Sequence, residues 1–462
     1  MSLAAPTVVS AHGIGGRQDL PIPLEQAILG AVLALVVSFV VLILTTRLHQ
    51  AEAAEEPVGQ PAETRPRQWR PRWVVLLDPI VSSTAWSVAL RTVGLLIFAY
   101  CVMTALIGRD TANNPLFGIF YIWWWVGLVP FSLLFGPAWK AISPVRAINE
   151  ALTALRGGSG EPMYRYPERL GCWPAVVGLM AFAWMELVYP NNNFLGPVRL
   201  WCAIYVAVML VGGQLYGSRF YERCDPFEVY SSLVAKLSVW GRDDEGRLVV
   251  RTPLGNLDTL RPMPGLVAVV CVLFGTIVFD SFRDSTPWIK LKQDGPFIST
   301  HAHMPYVLDN VAVVAFPLAV AVFYCVGTML TGVDHVRRRQ LPAHLAPSIV
   351  PIIVGYVFAH YLSYFWEAGQ ATLRQASDPL SDGSDWFGTS GLQVNYFFAY
   401  HATLLANIKV IAVVIGHVLG VWSAHIRALQ VLPRKHLVTG QIPLLVTMIG
   451  FTIGGLYLLF AS

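Results

Sequence analysis

The sequence predicts an all-α membrane protein: a polytopic transmembrane helical bundle of about ten spans with both termini outside. Composition is the first reason, because 55% of the 462 residues are hydrophobic and only 13% are charged, roughly half the charged share of a soluble domain. Apolar runs of membrane-spanning length are the second reason, and the charges of the intervening loops are the third. The net charge of +4, without a basic patch, predicts no binding to nucleic acid.

Ten mostly apolar runs approach the roughly 20 residues that a transmembrane helix needs. The second run is the least regular, because Arg91 lies near its start. The six cysteines form no CxxC pair and predict neither a disulfide framework nor a structural zinc site. The ten runs are residues 25–46, 86–107, 117–136, 172–189, 198–217, 263–281, 306–331, 348–367, 402–424 and 441–460.

Basic residues alternate from loop to loop. Most of the 32 Lys and Arg residues lie after the first, third, fifth, seventh and ninth runs. The positive-inside rule assigns those loops to the cytoplasm and both termini to the exterior. The expected location is therefore the cell inner membrane, with the lipid bilayer as a partner; the oligomeric state is not predicted.

The chain divides into six segments on this basis. They are an exported N-terminal tail (1–24), the first transmembrane helix (25–46), a mobile cytoplasmic linker (47–72), helices two to five (73–217), a cytoplasmic loop with a short strand and turn (218–262), and helices six to ten with the candidate site (263–462).

Three of these segments carry finer predictions. The strand and turn are expected at residues 247–256, and the mixed charges between Arg219 and Glu228 predict a solvated cytoplasmic face. Signal cleavage after Ala11 would expose His12 as a metal-chelating N-terminus. The short apolar stretch before Ala11 favours an uncleaved tail instead.

Ionisable side chains lie within the eighth and ninth runs, where they are costly and usually functional. His360 lies about 10 Å from the outer end of its span at 1.5 Å per residue, and Lys409 lies at a matching depth on the next span. His344 and His425 fall on the inner side, and His417 lies in the inner half of its span. The other candidates near the outer face are Glu186, Asp280, His301, His303 and His401.

This depth pattern predicts a hydrolase with metal-activated water. Histidine and carboxylate ligands suit a divalent ion such as zinc, which lowers the pKa of bound water. Asp280 and His360 are expected to act as general base or to bind the metal, and Lys409 to stabilise developing negative charge. The predicted metal ligands are His301, His303, His360 and His401. Solvated loop positions for His301 and His303, and a core position for His360, are the open alternatives.

Two other functions fit the same residues. A haem or quinone redox protein would use histidines on facing helices, although the absence of CxxCH excludes covalent haem. A transporter would pair Lys409 with Glu186 or Asp280 as a charge relay. Its helices would kink at Pro130, Pro351 and Gly355 or at the Gly454–Gly455 pair.

Five segments resemble one known family. They are AHGIGGRQDLPIP at 11–23, FDS at 279–281, AHLAPSIVPI at 343–352, AHYLSY at 359–364 and GHVLGVWSAHIRAL at 416–429. Together with the ten-span hydropathy, they are similar to the membrane-bound fenitrothion hydrolases, a family of organophosphorus hydrolases.

The resemblance implies hydrolysis of the P–O–aryl bond of triesters such as fenitrothion or parathion, with release of a nitrophenol. Such lipophilic substrates would reach a site near the outer leaflet from the bilayer. Trp123, Trp124 and Trp125 are then candidates for stacking on the aryl ring, with an interfacial aromatic belt as the alternative. The resemblance assigns no catalytic residues, so the site residues above depend on depth and chemistry.

Overall fold

The computed structural model describes residues 16–55, 68–157, 162–295, 298, 301, 303–331, 336–432 and 439–460. For residues 47–55 it describes the backbone alone. The described part of the chain is 75% helical, which confirms the predicted all-α bundle. The predicted uncleaved tail around Ala11 lies outside the described residues. The helices are α1 Leu24–Glu55, α2 Arg72–Val81, α3 Thr84–Ile107, α4 Pro115–Phe117, a π-helix Gly118–Val126, α5 Leu128–Phe135, α6 Ala138–Ile142, α7 Pro144–Leu155, α8 Trp173–Leu187, α9 Leu195–Tyr216, α10 Ser218–Cys224, α11 Pro226–Val234, α12 Pro253–Leu257, α13 Leu266–Arg283, α14 Thr286–Asp294, α15 Met304–Met329, α16 Leu341–Leu345, α17 Val350–Ala376, α18 Phe397–Tyr400, α19 Ala402–Val431 and α20 Ile442–Leu459.

Within the described ranges, eight helical segments are long and apolar enough to cross a membrane. They match eight of the ten predicted runs, and the other two runs are also helical. The third run is broken by 45° between the π-helix and α5, where Pro130 has no N–H to bond the carbonyl of Val126. The fourth run is α8, whose 15 residues reach about 22 Å at 1.5 Å per residue, short of a hydrocarbon core of roughly 30 Å.

Helices α13 and α17 form the centre of the bundle. Of their apolar stretches, 78% and 89% respectively are buried inside the protein, against 11% for α3 at the periphery. Helices α17 and α19 pack closely because glycines meet at their crossing, as small residues do between membrane helices. A Cβ at Gly355 would lie 2.5 Å from the carbonyl oxygen of Ala412, and one at Gly416 would lie 2.7 Å from that of Pro351.

The predicted linker 47–72 is shorter in the structure. Helix α1 continues to Glu55, where Ala and Glu are strong helix formers. At the other end, Gln68 and Trp69 form strand β1, and Arg72 begins α2. These parts are therefore ordered elements and not a linker, and residues 56–67 lie outside the described part of the chain.

A small antiparallel sheet confirms the strand predicted at 247–256. Strand β3 (Leu248–Arg251) lies between β1 (Gln68–Trp69) and β2 (Trp240–Arg242). In place of the predicted turn, α12 follows, with Thr252 Oγ1 capping the N–H of Gly255 at 3.1 Å. Asp78 of α2 accepts the N–H of Leu248 at 3.1 Å, and this bond holds the pKa of Asp78 below its ordinary value.

Helix α11 corrects the prediction of a solvated face between Arg219 and Glu228. Eight of its nine residues are buried, and so is Asp225 before it. Asp225 accepts Trp139 Nε1 at 2.9 Å and the Tyr205 hydroxyl at 3.0 Å, and also caps the first turn of α11. Asp225 therefore holds α11 inside the bundle, while Arg219 and Glu222 stay on the exposed side as predicted.

A buried ion pair fixes the same helix from its other side. Glu228 accepts Nε and Nη2 of Arg146, each at 2.6 Å, and the two side chains are 1% and 4% exposed. The hydroxyl groups of Ser231 and Ser132 lie 2.8 Å apart. Charged residues of the predicted cytoplasmic loops thus stabilise α11, a short helix packed between the spans.

Candidate functional site

The predicted pair of Asp280 and His360 is in direct contact. Asp280 lies near the C-terminal end of α13, and His360 lies in the middle of α17, the helix packed at the centre of the bundle. His360 Nε2 is 2.9 Å from Asp280 Oδ2, with the side chains 6% and 2% exposed. A buried carboxyl group thus holds one nitrogen of a buried imidazole.

Three further side chains complete a hydrogen-bonded chain around this pair. The hydroxyl of Tyr361 donates to Asp280 Oδ2 at 2.7 Å. Ser281 Oγ lies 3.1 Å from His360 Nδ1, and the Tyr356 hydroxyl donates to Ser281 Oγ at 3.1 Å. All three are buried. They were not predicted, although the FDS and AHYLSY segments carry two of them and Tyr356 precedes His360 by one helical turn.

Glu186 adds a second carboxyl group. It lies in α8, near enough to Asp280 for the two carboxyl groups to repel each other and near enough to Arg283 to be attracted to it. From the sequence, Glu186 was expected near the outer face, as a candidate charge-relay partner of Lys409. Four tyrosine hydroxyls lie within electrostatic range of Glu186, namely those of Tyr121, Tyr230, Tyr361 and Tyr364.

The π-helix packs aromatic rings against α8 and α11, and π-helical turns are frequent at functional sites. Trp125 is buried against Phe182 of α8 and Tyr230 of α11, with ring centroids 4.6 and 5.0 Å apart. Trp124 packs on the Phe227 ring of α11 at 4.3 Å. The stacking of these tryptophans on an aryl ring stays a prediction.

The other predicted metal ligands, His301, His303 and His401, are exposed. His401 stacks on Phe397 with its Nδ1 2.8 Å from the carbonyl oxygen of that residue. In the ranges that the structure covers, no group of three or more His, Cys, Asp or Glu side chains is arranged to hold a metal ion. Metal binding by these three histidines stays a prediction.

Lys409 is buried on α19, the helix packed against α17. The carboxylate of Asp19, in the 3-10 helix Arg17–Asp19 before α1, attracts the charge of Lys409. Asp19 was not among the partners predicted for Lys409, which were Glu186 and Asp280. The catalytic role of Lys409 remains a prediction.

The inner histidines have packing roles. His425 Nδ1 lies 3.0 Å from Gln441 Oε1, and its Nε2 lies 3.0 Å from Thr46 Oγ1. His417 Nδ1 bonds the carbonyl oxygen of Val413 at 2.8 Å within α19. Both ring nitrogens of His425 and of His360 have hydrogen-bond partners among the described side chains, and the haem alternative stays a prediction.

The apolar helices and the buried polar network define a multi-pass membrane protein. No family model matches the chain, and neither a curated protein nor a solved structure matches it. Function must therefore be inferred from the chemistry of the Asp280–His360 network.

Proposed function

We propose that this protein is a membrane-embedded hydrolase that cleaves the P–O–aryl bond of lipophilic organophosphorus triesters, such as fenitrothion or parathion. One observation carries the proposal: the buried contact between Asp280 and His360. A carboxyl–imidazole pair in an apolar interior is a general base held ready for a nucleophile. The proposed location is the cell inner membrane, because the loops on the predicted inner side hold most of the basic residues.

The chemistry follows from the proton positions that the network allows. With Asp280 ionised, its Oδ2 accepts both the Nε2 proton of His360 and the Tyr361 hydroxyl proton. His360 then presents an unprotonated Nδ1, which can take a proton from the attacking oxygen. Base catalysis of this kind contributes roughly 10²–10⁴-fold to the rate. A nitrophenol leaves readily as its anion, so the site needs little acid assistance.

A divalent metal ion was predicted at this site. Asp280 and His360 are groups of ligating type and would hold such an ion, which would lower the pKa of a bound water. The metal ion stays a prediction, and the proposed steps pass through the side chains of the network.

Nitrophenol release by purified protein in detergent or nanodiscs tests the proposal. Wild-type protein should release nitrophenol and the dialkyl thiophosphate in equal amounts. His360→Gln should lower the rate by about 10²-fold or more. His344→Gln, a histidine substitution on the predicted cytoplasmic side, is the matched control and should keep the wild-type rate. A wild-type rate equal to that of His360→Gln would refute the proposal, and a chelator arm tests metal dependence separately.

A transporter is the second candidate, favoured by the 45° break in the third span. Discontinuous membrane helices often form the substrate sites of transporters. Uptake of an unchanged triester into proteoliposomes, without nitrophenol release, would support transport over hydrolysis.

A further inference from the structure

We propose that Ser281 is the nucleophile of this site, so that the reaction passes through a phosphorylated serine. The inference rests on the proposed function, because it uses the Asp280–His360 pair as the base. It also names the two atoms that react, Ser281 Oγ as the attacking atom and phosphorus as the atom attacked, which the hydrolase proposal leaves open.

The two nitrogens of His360 face different groups. Nε2 is 2.9 Å from Asp280 Oδ2, and Nδ1 is 3.1 Å from Ser281 Oγ. A carboxylate at Nε2 keeps the proton on that nitrogen, so the lone pair of Nδ1 points to the serine hydroxyl. Ser281 thus donates to His360, and the hydroxyl, the imidazole and the carboxylate stand in the order of a Ser-His-Asp triad with the ring nitrogens exchanged. Such triads are recognised by geometry and roles, and not by sequence position.

The orientation of Ser281 differs from that of several other buried hydroxyl groups in the spans. A serine or threonine within a helix commonly bonds a carbonyl three or four residues earlier. Thr276, on the same helix, bonds the carbonyl oxygen of Val272 at 2.8 Å. Thr328, Ser348, Thr447 and Thr452 follow the same rule. Among the described contacts of Ser281, the partners are His360 and Tyr356.

Tyr356 sets the direction of the hydrogen bond between Ser281 and His360. Its hydroxyl lies 3.1 Å from Ser281 Oγ and 3.3 Å from the carbonyl oxygen of Gly455. A proton donated by Tyr356 occupies one lone pair of Ser281 Oγ, so the serine proton is directed to His360. Tyr356 is therefore a positioning residue, which holds the oxygen with a lone pair available for attack.

The reaction balances without an oxidant or a reductant. Ser281 Oγ forms a bond to phosphorus while its proton passes to His360 Nδ1. The P–O–aryl bond breaks, and the aryl oxide leaves as its anion with the electron pair. It then takes that proton from His360 and becomes the phenol. Water then attacks phosphorus and gives a proton to His360. The Oγ–P bond breaks, Ser281 recovers this proton, and a dialkyl phosphate or thiophosphate is released.

A fluorophosphonate probe tests the nucleophile independently of turnover. An activated serine displaces fluoride from phosphorus and stays labelled, so mass spectrometry of the full-length protein can locate the label. We expect labelling of wild-type protein at Ser281, no label at this position in Ser281→Ala, and labelling at least about 10²-fold slower in His360→Gln. Ser348→Ala, a buried serine bonded within its own helix, is the matched control and should label as wild type does.

The outcomes separate the two proposals. Label on Ser281 together with nitrophenol release supports both. Label on Ser281 without nitrophenol release supports the nucleophile and overturns the substrate class. Nitrophenol release without a label at Ser281, or with the label on another residue, overturns the nucleophile and leaves the hydrolase. Absence of both overturns both proposals. Because the label is located in wild-type protein, the result does not depend on the folding of a variant.

Discussion

At the scale of single residues, Asp225 and Asp280 are both buried, but their partners differ in kind. Asp225 accepts hydrogen bonds from an indole, a phenol and the backbone of α11, and this arrangement fixes a helix. Asp280 accepts from His360 and Tyr361, and the second ring nitrogen of His360 contacts the Ser281 hydroxyl. The first carboxyl group is therefore structural, and the second belongs to a chain along which protons can move.

Asp280→Asn is expected to abolish most of the activity with little change in packing. The amide would donate to His360 Nε2, and the imidazole would move its proton to Nδ1, where it could no longer accept one from Ser281. The expected loss in the rate of nitrophenol release is about 10²–10⁴-fold. A thermal midpoint near that of wild type would show that the loss is chemical, and full activity in Asp280→Asn would contradict the assigned role.

The ion pair of Arg146 and Glu228 gives a prediction about stability. Glu228→Gln leaves the Arg146 charge buried without its partner, which costs about 3–5 kcal/mol. The matched control is Glu222→Gln, which breaks an exposed ion pair with Lys140 and costs about 0–1 kcal/mol. Thermal unfolding in detergent should show a large fall in the midpoint for Glu228→Gln and a small one for Glu222→Gln. Equal shifts would mean that α11 is not held by this pair.

At the scale of elements, hydropathy predicted the long spans because each presents some 20 apolar residues to lipid or protein. It could not predict α11, whose nine residues carry Glu228 and follow Asp225. Their charges are compensated mainly by partners from other elements, such as Arg146 and Trp139. The π-helix was missed for a related reason: a uniformly apolar run such as GIFYIWWWV contains no signal for its hydrogen-bond spacing.

The crossing of α17 and α19 gives a prediction at this scale. In Gly355→Ala the new methyl group would meet the backbone of Ala412 at 2.5 Å, and such overpacking costs about 1–3 kcal/mol. Gly454→Ala is the matched control, because its Cβ meets nothing within 4 Å, and the gain in helix propensity should leave stability unchanged or raised. Comparable thermal midpoints for the two variants would disagree with close packing at this crossing.

At the scale of the whole molecule, sequence was sufficient for the fold class and for naming Asp280 and His360 as candidates for one site. Polar residues buried in an apolar bundle are costly alone, so contact between them relieves that cost. Depth does not define which spans are neighbours or where a loop turns. For this reason the direct contact of Asp280 with His360, and the nearness of Glu186 to Asp280, could not be predicted, and the metal-binding roles of His301, His303 and His401 stay predictions.

The predicted topology can be tested on intact cells. Asp244→Cys introduces an exposed thiol next to β2, on the predicted cytoplasmic side, and Gln393→Cys introduces one before α18, on the predicted outer side. A membrane-impermeant maleimide should label Gln393→Cys in intact cells and Asp244→Cys only after permeabilisation, with wild-type protein as the background. The reverse pattern would place both termini in the cytoplasm.

The central claim is that the buried Asp280–His360 pair hydrolyses a lipophilic phosphotriester. The most direct measurement is the initial rate of nitrophenol release from parathion by reconstituted protein, compared among wild type, His360→Gln and His344→Gln. The account predicts a measurable rate for wild type and for His344→Gln, and a rate lower by about 10²-fold or more for His360→Gln. Equal rates in all three, or no release above protein-free vesicles, would contradict it.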